Sequence, residues 1–189
     1  MKFCSFIFFT FLNYNILLSQ YIELPRIGVL DFEPRSIPTS LSQRFTEAVR
    51  NEIENINLVQ VIDRGSLLST LEERGYKRSN CITDYCEALI GQLLEVDFIL
   101  SGSIAYADSI YTIDMNMVSV PIGSIDKSIT MRVFGDYQNL MDEADAASWN
   151  LFGLKSPQQI AIAEERERIA RISSISNEVT TANIKNRFS

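Results

Sequence analysis

Histidine is absent from the 189 residues. That one absence removes Ser-His-Asp and Cys-His catalysis, imidazole acid–base transfer and most zinc sites. Cysteine is scarce, at three residues, and positive charge is in deficit. Seventeen Lys and Arg face 24 Asp and Glu, a net charge of -7. An acidic surface repels phosphate backbones, so nucleic acid is not an expected partner. No P-loop, dinucleotide fingerprint, internal repeat or low-complexity tract occurs, and no cofactor or metal is expected. What remains suits a packed unit. Hydrophobic residues are 46% and charged residues 22% of the chain, enough to bury a core. The length fits one domain with an appendage.

The start of the chain bears on where it works. Lys2 precedes the apolar run 3–18 (FCSFIFFTFLNYNILL), and Ser19 is a small residue before Gln20. The run fits the apolar region of an export signal and falls short of the ~20 residues of a bilayer span. Residues 1–19 read as a cleaved secretory signal, with an uncleaved signal anchor as the alternative. Cys4 lies before the run, so it is no lipidation site. Cleavage leaves 16 basic and 24 acidic residues, a net of -8. It also leaves only Cys81 and Cys86. In an oxidising compartment such a pair reads as a disulfide, with free buried thiols as the alternative. The loop is short, so the bond would contribute about 2 kcal/mol or less. The spacing is not that of a CxxC redox motif, and two further zinc ligands are missing nearby.

Periodicity gives the element order. Residues 26–32 (RIGVLDF) read as a buried strand, 41–56 as an amphipathic helix capped by Ser40 or Thr39, and 57–63 as a second strand. A helix follows from Asp63 or Ser66 to the stop at Gly75, and another from Thr83 or Asp84. Residues 97–106, 111–120 and 124–133 alternate like an antiparallel meander, with Gly102 marking a bulge or a close backbone approach. Residues 136–151 return to helical spacing, and a charged helix from Gln158 fades into a polar tail. The fold class is therefore α/β: one mixed sheet, β-α-β-α-α-β-β-β-α, with helices packed on it and an extra C-terminal helix. Residues 20–153 form the domain, and 154–189 the helix and tail.

RIGVLDFE, LVQVIDRGSLLSTLEERG, CITDYCEALIGQLLEVDFILSGSI, YTIDMNMVSV and GSIDKSI follow one another in a familiar order. Asp31-Phe32, Val61-Ile62-Asp63-Arg64 and Gly91…Asp97…Gly102-Ser103 are the most telling pieces. Over about Arg26 to Leu151 the chain resembles the superfamily that joins the curli-secretion lipoprotein CsgG, the LpoB-type activator of penicillin-binding proteins and the TolB N-terminal domain. The resemblance implies an α/β module of the bacterial envelope that works by protein–protein contact. Two departures stand out. No lipid-attachment cysteine follows the signal, and the turns at Ala107–Ser109 and Pro121–Gly123 leave no spare strands for a transmembrane barrel.

The residues that could carry chemistry are few. Asp31, Glu33, Asp63 and Asp97 fall at strand ends, where an acid–base pair could sit, but capping and pairing with Arg35 or Arg64 is the stronger expectation. Ser101 and Ser103 flank Gly102 with no histidine to activate them. Tyr106, Tyr111, Tyr137, Met115, Met117 and Met131 read as core rather than as a ligand groove. In the C-terminal helix, Glu164–Arg168 and Glu167–Arg171 have favourable i,i+4 spacing. Ile162, Ile169, Ile172 and Val179 trace a narrow apolar stripe suited to a partner's surface, so Ile162, Ile169 and Ile172 are the partner-contact candidates. A solvated terminal helix is the alternative. The expectation is a non-enzymatic exported protein, soluble in the periplasm, that regulates or assembles other periplasmic or outer-membrane proteins, with association with the outer membrane as the alternative. Self-association is a further expected mode. A subunit of a curli-type secretion pore and an enzyme using strand-end carboxylates are the rival readings.

Overall fold

Ile27 and Val29 point to one side of a short strand, and both are fully buried. A computed structural model of the chain describes residues 23–75 and 83–187. The proposed signal (1–19) and Cys81 lie outside the described residues. In chain order the elements are β1 (Arg26–Val29), β2 (Glu33–Arg35), α1 (Thr39–Ile56), β3 (Gln60–Val61), α2 (Arg64–Glu73) and α3 (Asp84–Leu93). Then follow β4 (Phe98–Ala107), β5 (Ile110–Ser119), β6 (Ser124–Phe134), α4 (Tyr137–Asp142), α5 (Ala144–Leu151) and α6 (Pro157–Arg187).

The strands form one mixed sheet in the order β3-β1-β4-β5-β6, with β2 also on β4. The β1 strand is parallel to β3 and to β4, while β4, β5 and β6 are the antiparallel meander read from the alternation. Alternation also divides the core in two. One face carries Ile27, Val29, Leu100, Ile104, Ile113 and Met115 beneath Phe45, Val49 and Ile53 of α1, Leu140 of α4 and Leu151 of α5. The other face carries Ile99 and Val120 beneath Leu67 of α2 and Ile90 and Leu94 of α3.

The strand expected over 26–32 is broken. Val29 is level with Leu100 and Glu33 with Ser103, so the first strand carries one residue more than β4 between them. Two α1 hydroxyls replace the lost ladder partners: the Phe32 N–H donates to Thr46 Oγ1 at 3.0 Å, and Ser42 Oγ donates to the Phe32 carbonyl. Both hydroxyl residues are fully buried. The break lies across Gly102, as that glycine suggested. Four further boundaries differ. The second strand is two residues, because Asn57 turns left-handed (φ 55°) after α1 and Asp63 opens α2. The helix α1 starts at Thr39 behind Pro38, with no side-chain cap. The helix expected over 136–151 divides at Glu143 into α4 and α5. The expected polar tail is helical to Arg187, since neither Gly nor Pro interrupts residues 158–187.

Candidate functional site

Helices α2 and α3 cover only part of the second sheet face. Beyond Ile99 that face turns polar, because alternation and register bring small hydroxyls and acids together. Ser101 is level with Asn116 and Ser128, and Ser103 with Asp114 and Thr130. The side chains bond across the strands: Thr130 Oγ1 donates to Asp114 at 2.7 Å, and Ser128 Oγ to Asn116 Oδ1 at 2.7 Å. Ser103 Oγ reaches Asp114 at 3.4 Å, and Ser101 Oγ donates to Glu87 of α3 at 2.8 Å. These groups floor a trough of about 700 Å³, walled by Asp84 and Glu87 on one side and by Asp31, Glu33 and Arg35 on the other.

The strand-end carboxylates are engaged as caps and pairs, as expected. Asp31 accepts from Arg64 Nη2 at 2.7 Å and Nε at 3.2 Å. This bond raises the Arg64 pKa above its ordinary value. Glu33 pairs with Arg35 at 3.1 Å on an exposed surface. Asp63 caps α2 by accepting from the Ser66 N–H at 2.8 Å, and that bond holds its carboxyl below the usual range. Asp97 accepts from the Arg26 N–H at 2.7 Å. A carboxylate is a weak base toward a serine hydroxyl. The Ser101 and Ser103 bonds therefore fix side chains rather than activate a nucleophile. Among the described residues, no group of three or more acidic or cysteine side chains could hold a metal ion.

Behind the trough lies a charge network that periodicity alone could not reveal. Arg50 of α1 is 5% exposed, donating from Nη2 to the Val29 carbonyl at 2.7 Å and from Nη1 to the Ile62 carbonyl at 3.0 Å. Burial pushes its pKa below the ordinary value, and Glu47 opposes that shift. Glu47 Oε1 lies 3.1 Å from Arg64 Nε and 3.8 Å from Arg50 Nε. It accepts no aligned hydrogen bond, because the Arg64 Nε–H is directed at Asp31. The trough floor was half legible: Asp114 and Asn116 alternate with the buried residues of β5, but only the register with β6 adds Ser128 and Thr130.

The remaining candidates separate. Met115 and Met117 are core, at 0% and 3% exposed. Tyr111 is buried under Tyr106, with ring centroids 4.4 Å apart, and burial raises its pKa. Tyr137 lies under the Arg44 guanidinium. Ile162, Ile169 and Ile172 lie along α6 at 46–56% exposure. The Val179 side chain is outside those described. Arg168 pairs with Glu165 at 2.7 Å rather than with Glu164, and Arg171 donates to the Glu167 carbonyl oxygen. Cys86 sits in the first turn of α3, where its N–H donates to the Thr83 hydroxyl at 3.3 Å.

The fold is similar to known structures. The LpoB C-terminal domain from Salmonella enterica aligns at a TM-score of 0.50 and 17% identity, over 64% of this chain and 91% of its own. Lipoprotein GNA1162 from Neisseria meningitidis aligns at 0.52 and 12%, over 68% of this chain and 96% of its own. TolB from Acinetobacter baumannii aligns at 0.46, over 69% of this chain and 28% of its own, too loosely to carry a TolB-like assignment. No protein-family model and no curated protein matches the chain. The chain has an LpoB-like α/β fold, and at these identities the likeness extends to the fold alone. Among the described residues, no helix is long and apolar enough to cross a membrane.

Proposed function

We propose that this chain is an exported, non-enzymatic binding module of the bacterial envelope that regulates or assembles other envelope proteins by contact. In this reading residues 1–19 are a removed signal, 20–153 are the module and 154–189 present a further contact element through Ile162, Ile169 and Ile172. The protein then works in the periplasm, either free there or associated with the outer membrane. One observation supports it most: Asp31, Glu33, Asp63 and Asp97, the carboxylates placed for acid–base chemistry, are taken up by arginines, a helix start and a backbone amide. The likeness to the LpoB C-terminal domain and to a lipoprotein fits the same reading.

Crosslinking in intact envelopes followed by affinity capture is expected to trap one or a few defined envelope proteins. Purified mature chain is expected to turn over no cell-wall or nucleotide substrate. Turnover that disappears in Asp31→Ala would refute the non-enzymatic reading. Cys81 and Cys86 are proposed to be joined. The intact mass of the non-reduced exported protein should then fall two hydrogens below that of the reduced chain, and two alkylatable thiols would disprove the bond.

A further inference from the structure

The β6 strand closes the sheet order, and among the described residues its outer edge has no strand partner. It is also long, 11 residues, and only Val133 in it is buried. Ile129 and Met131 pack against the main core yet remain half-exposed at this edge. A long edge strand with an unfinished apolar face is a template for further pairing unless something blunts it. Two blunting devices are present, a lysine and a bulge. Lys127, however, extends its ammonium over the Phe152 ring, 5.5 Å from the centroid, so its charge lies over its own chain's core face. The bulge falls at Asp126, the residue left over between Lys127 facing Met117 and Ile125 facing Val118.

The sequence of the strand fits itself. Facing pairs in an antiparallel ladder alternate between bonded and non-bonded types. A two-fold pair of identical strands must therefore be centred on one residue facing its own copy. Centring on Ile129 sets Ile129 against Ile129, Ser128 against Thr130 and Lys127 against Met131. It also brings Asp126, in the bulge at the margin of the regular stretch, alongside Arg132 twice, once at each end. Centring on Ser128 or on Thr130 leaves all of these charges without an opposite partner across the strands.

We infer that two copies of this chain pair antiparallel through β6, centred on Ile129, to make one continuous sheet with Asp126–Arg132 ion pairs at both ends. The occupant is a second copy because the register is complementary to itself in apolar contacts and in charge. An interface of one strand is at the small end for specific contacts, so the dimer is weak and concentration-dependent. This inference concerns the chain alone. Its failure would leave the capture of other envelope proteins untouched.

Sedimentation equilibrium of the mature chain is expected to show a monomer–dimer equilibrium. Arg132→Asp should raise the dissociation constant at least about tenfold by placing acids opposite each other at both ends, and adding Asp126→Arg should restore it. Facing side chains on such a pair approach within about 4.5–5.5 Å between Cβ atoms. Ile129→Cys should therefore give a covalent dimer under mild oxidation that the unaltered chain does not. Ser128→Cys and Thr130→Cys should crosslink when mixed, and neither alone. A monomer at all concentrations overturns the inference. So does a dimer indifferent to the charge exchange, or one in which Ser128→Cys crosslinks to itself.

Discussion

Replacing Arg50 by methionine is expected to destabilise the domain by about 3 kcal/mol, although the residue touches no candidate binding group. The reason lies in what the guanidinium completes. The sheet hydrogen bonds of β1 and β3 end near Val29 and Val61, leaving the Val29 and Ile62 carbonyls to point into the space beneath α1. One planar group with parallel donors reaches both, at 2.7 and 3.0 Å. Methionine fills a similar volume but cannot donate, so the buried Val29 carbonyl loses its partner at about 1–3 kcal/mol and the partly buried Ile62 carbonyl at less. Relief from burying a charge offsets part of this loss. Arg50→Lys keeps the charge but offers a single ammonium that cannot span both carbonyls, and an intermediate loss is expected. Urea unfolding followed by circular dichroism checks the order, with a melting temperature about 10 °C lower for Arg50→Met. A methionine variant within about 0.5 kcal/mol of the parent would show that water or shifted backbone satisfies the carbonyls.

Arg50 also shows why the sequence could be read only so far. Its position, seven residues before Asn57 in an amphipathic helix, suggests an ordinary boundary residue between Val49 and Ile53. Nothing local says that a cation is needed there, because the acceptors come from strands 21 and 12 residues away. Strand alternation was more informative. Tyr111, Ile113, Met115 and Met117 fall on one side of β5, and three of the four are at most 3% exposed. That pattern placed the meander and its core face correctly. It could not place the break at Asp31–Phe32, because Ile27, Val29, Leu30 and Phe32 read as one strand with neither glycine nor proline between Leu30 and Phe32 to mark a stop. The interruption depends instead on Ser42 and Thr46 offering bonds from a helix that begins later in the chain. The trough was legible in its parts and not in its assembly: hydroxyls and acids on three strands become one surface only through register.

Gly102→Ala is expected to cost about 2–4 kcal/mol, against the usual small gain from removing a flexible residue from the unfolded chain. This glycine lies in the middle of β4, level with Met115. A methyl group there would collide with the main-chain carbonyl oxygen of Asp114, and would also come within 3.0 Å of the Phe32 ring. The ring could tilt, but the carbonyl belongs to the neighbouring strand and can yield only if the β4–β5 ladder spreads. Phe32 is 2% exposed, and its backbone is pinned by Ser42 and Thr46, so its ring has little room either. A double-mutant cycle with Phe32→Leu separates the two obstacles. If the ring dominates, Gly102→Ala should be nearly neutral in the Phe32→Leu background. If the carbonyl dominates, as the backbone geometry requires, most of the cost should survive there, and amide exchange should quicken on both sides of Asp114. A Gly102→Ala protein as stable as the parent would mean that the strand pair is looser at this point than its register implies.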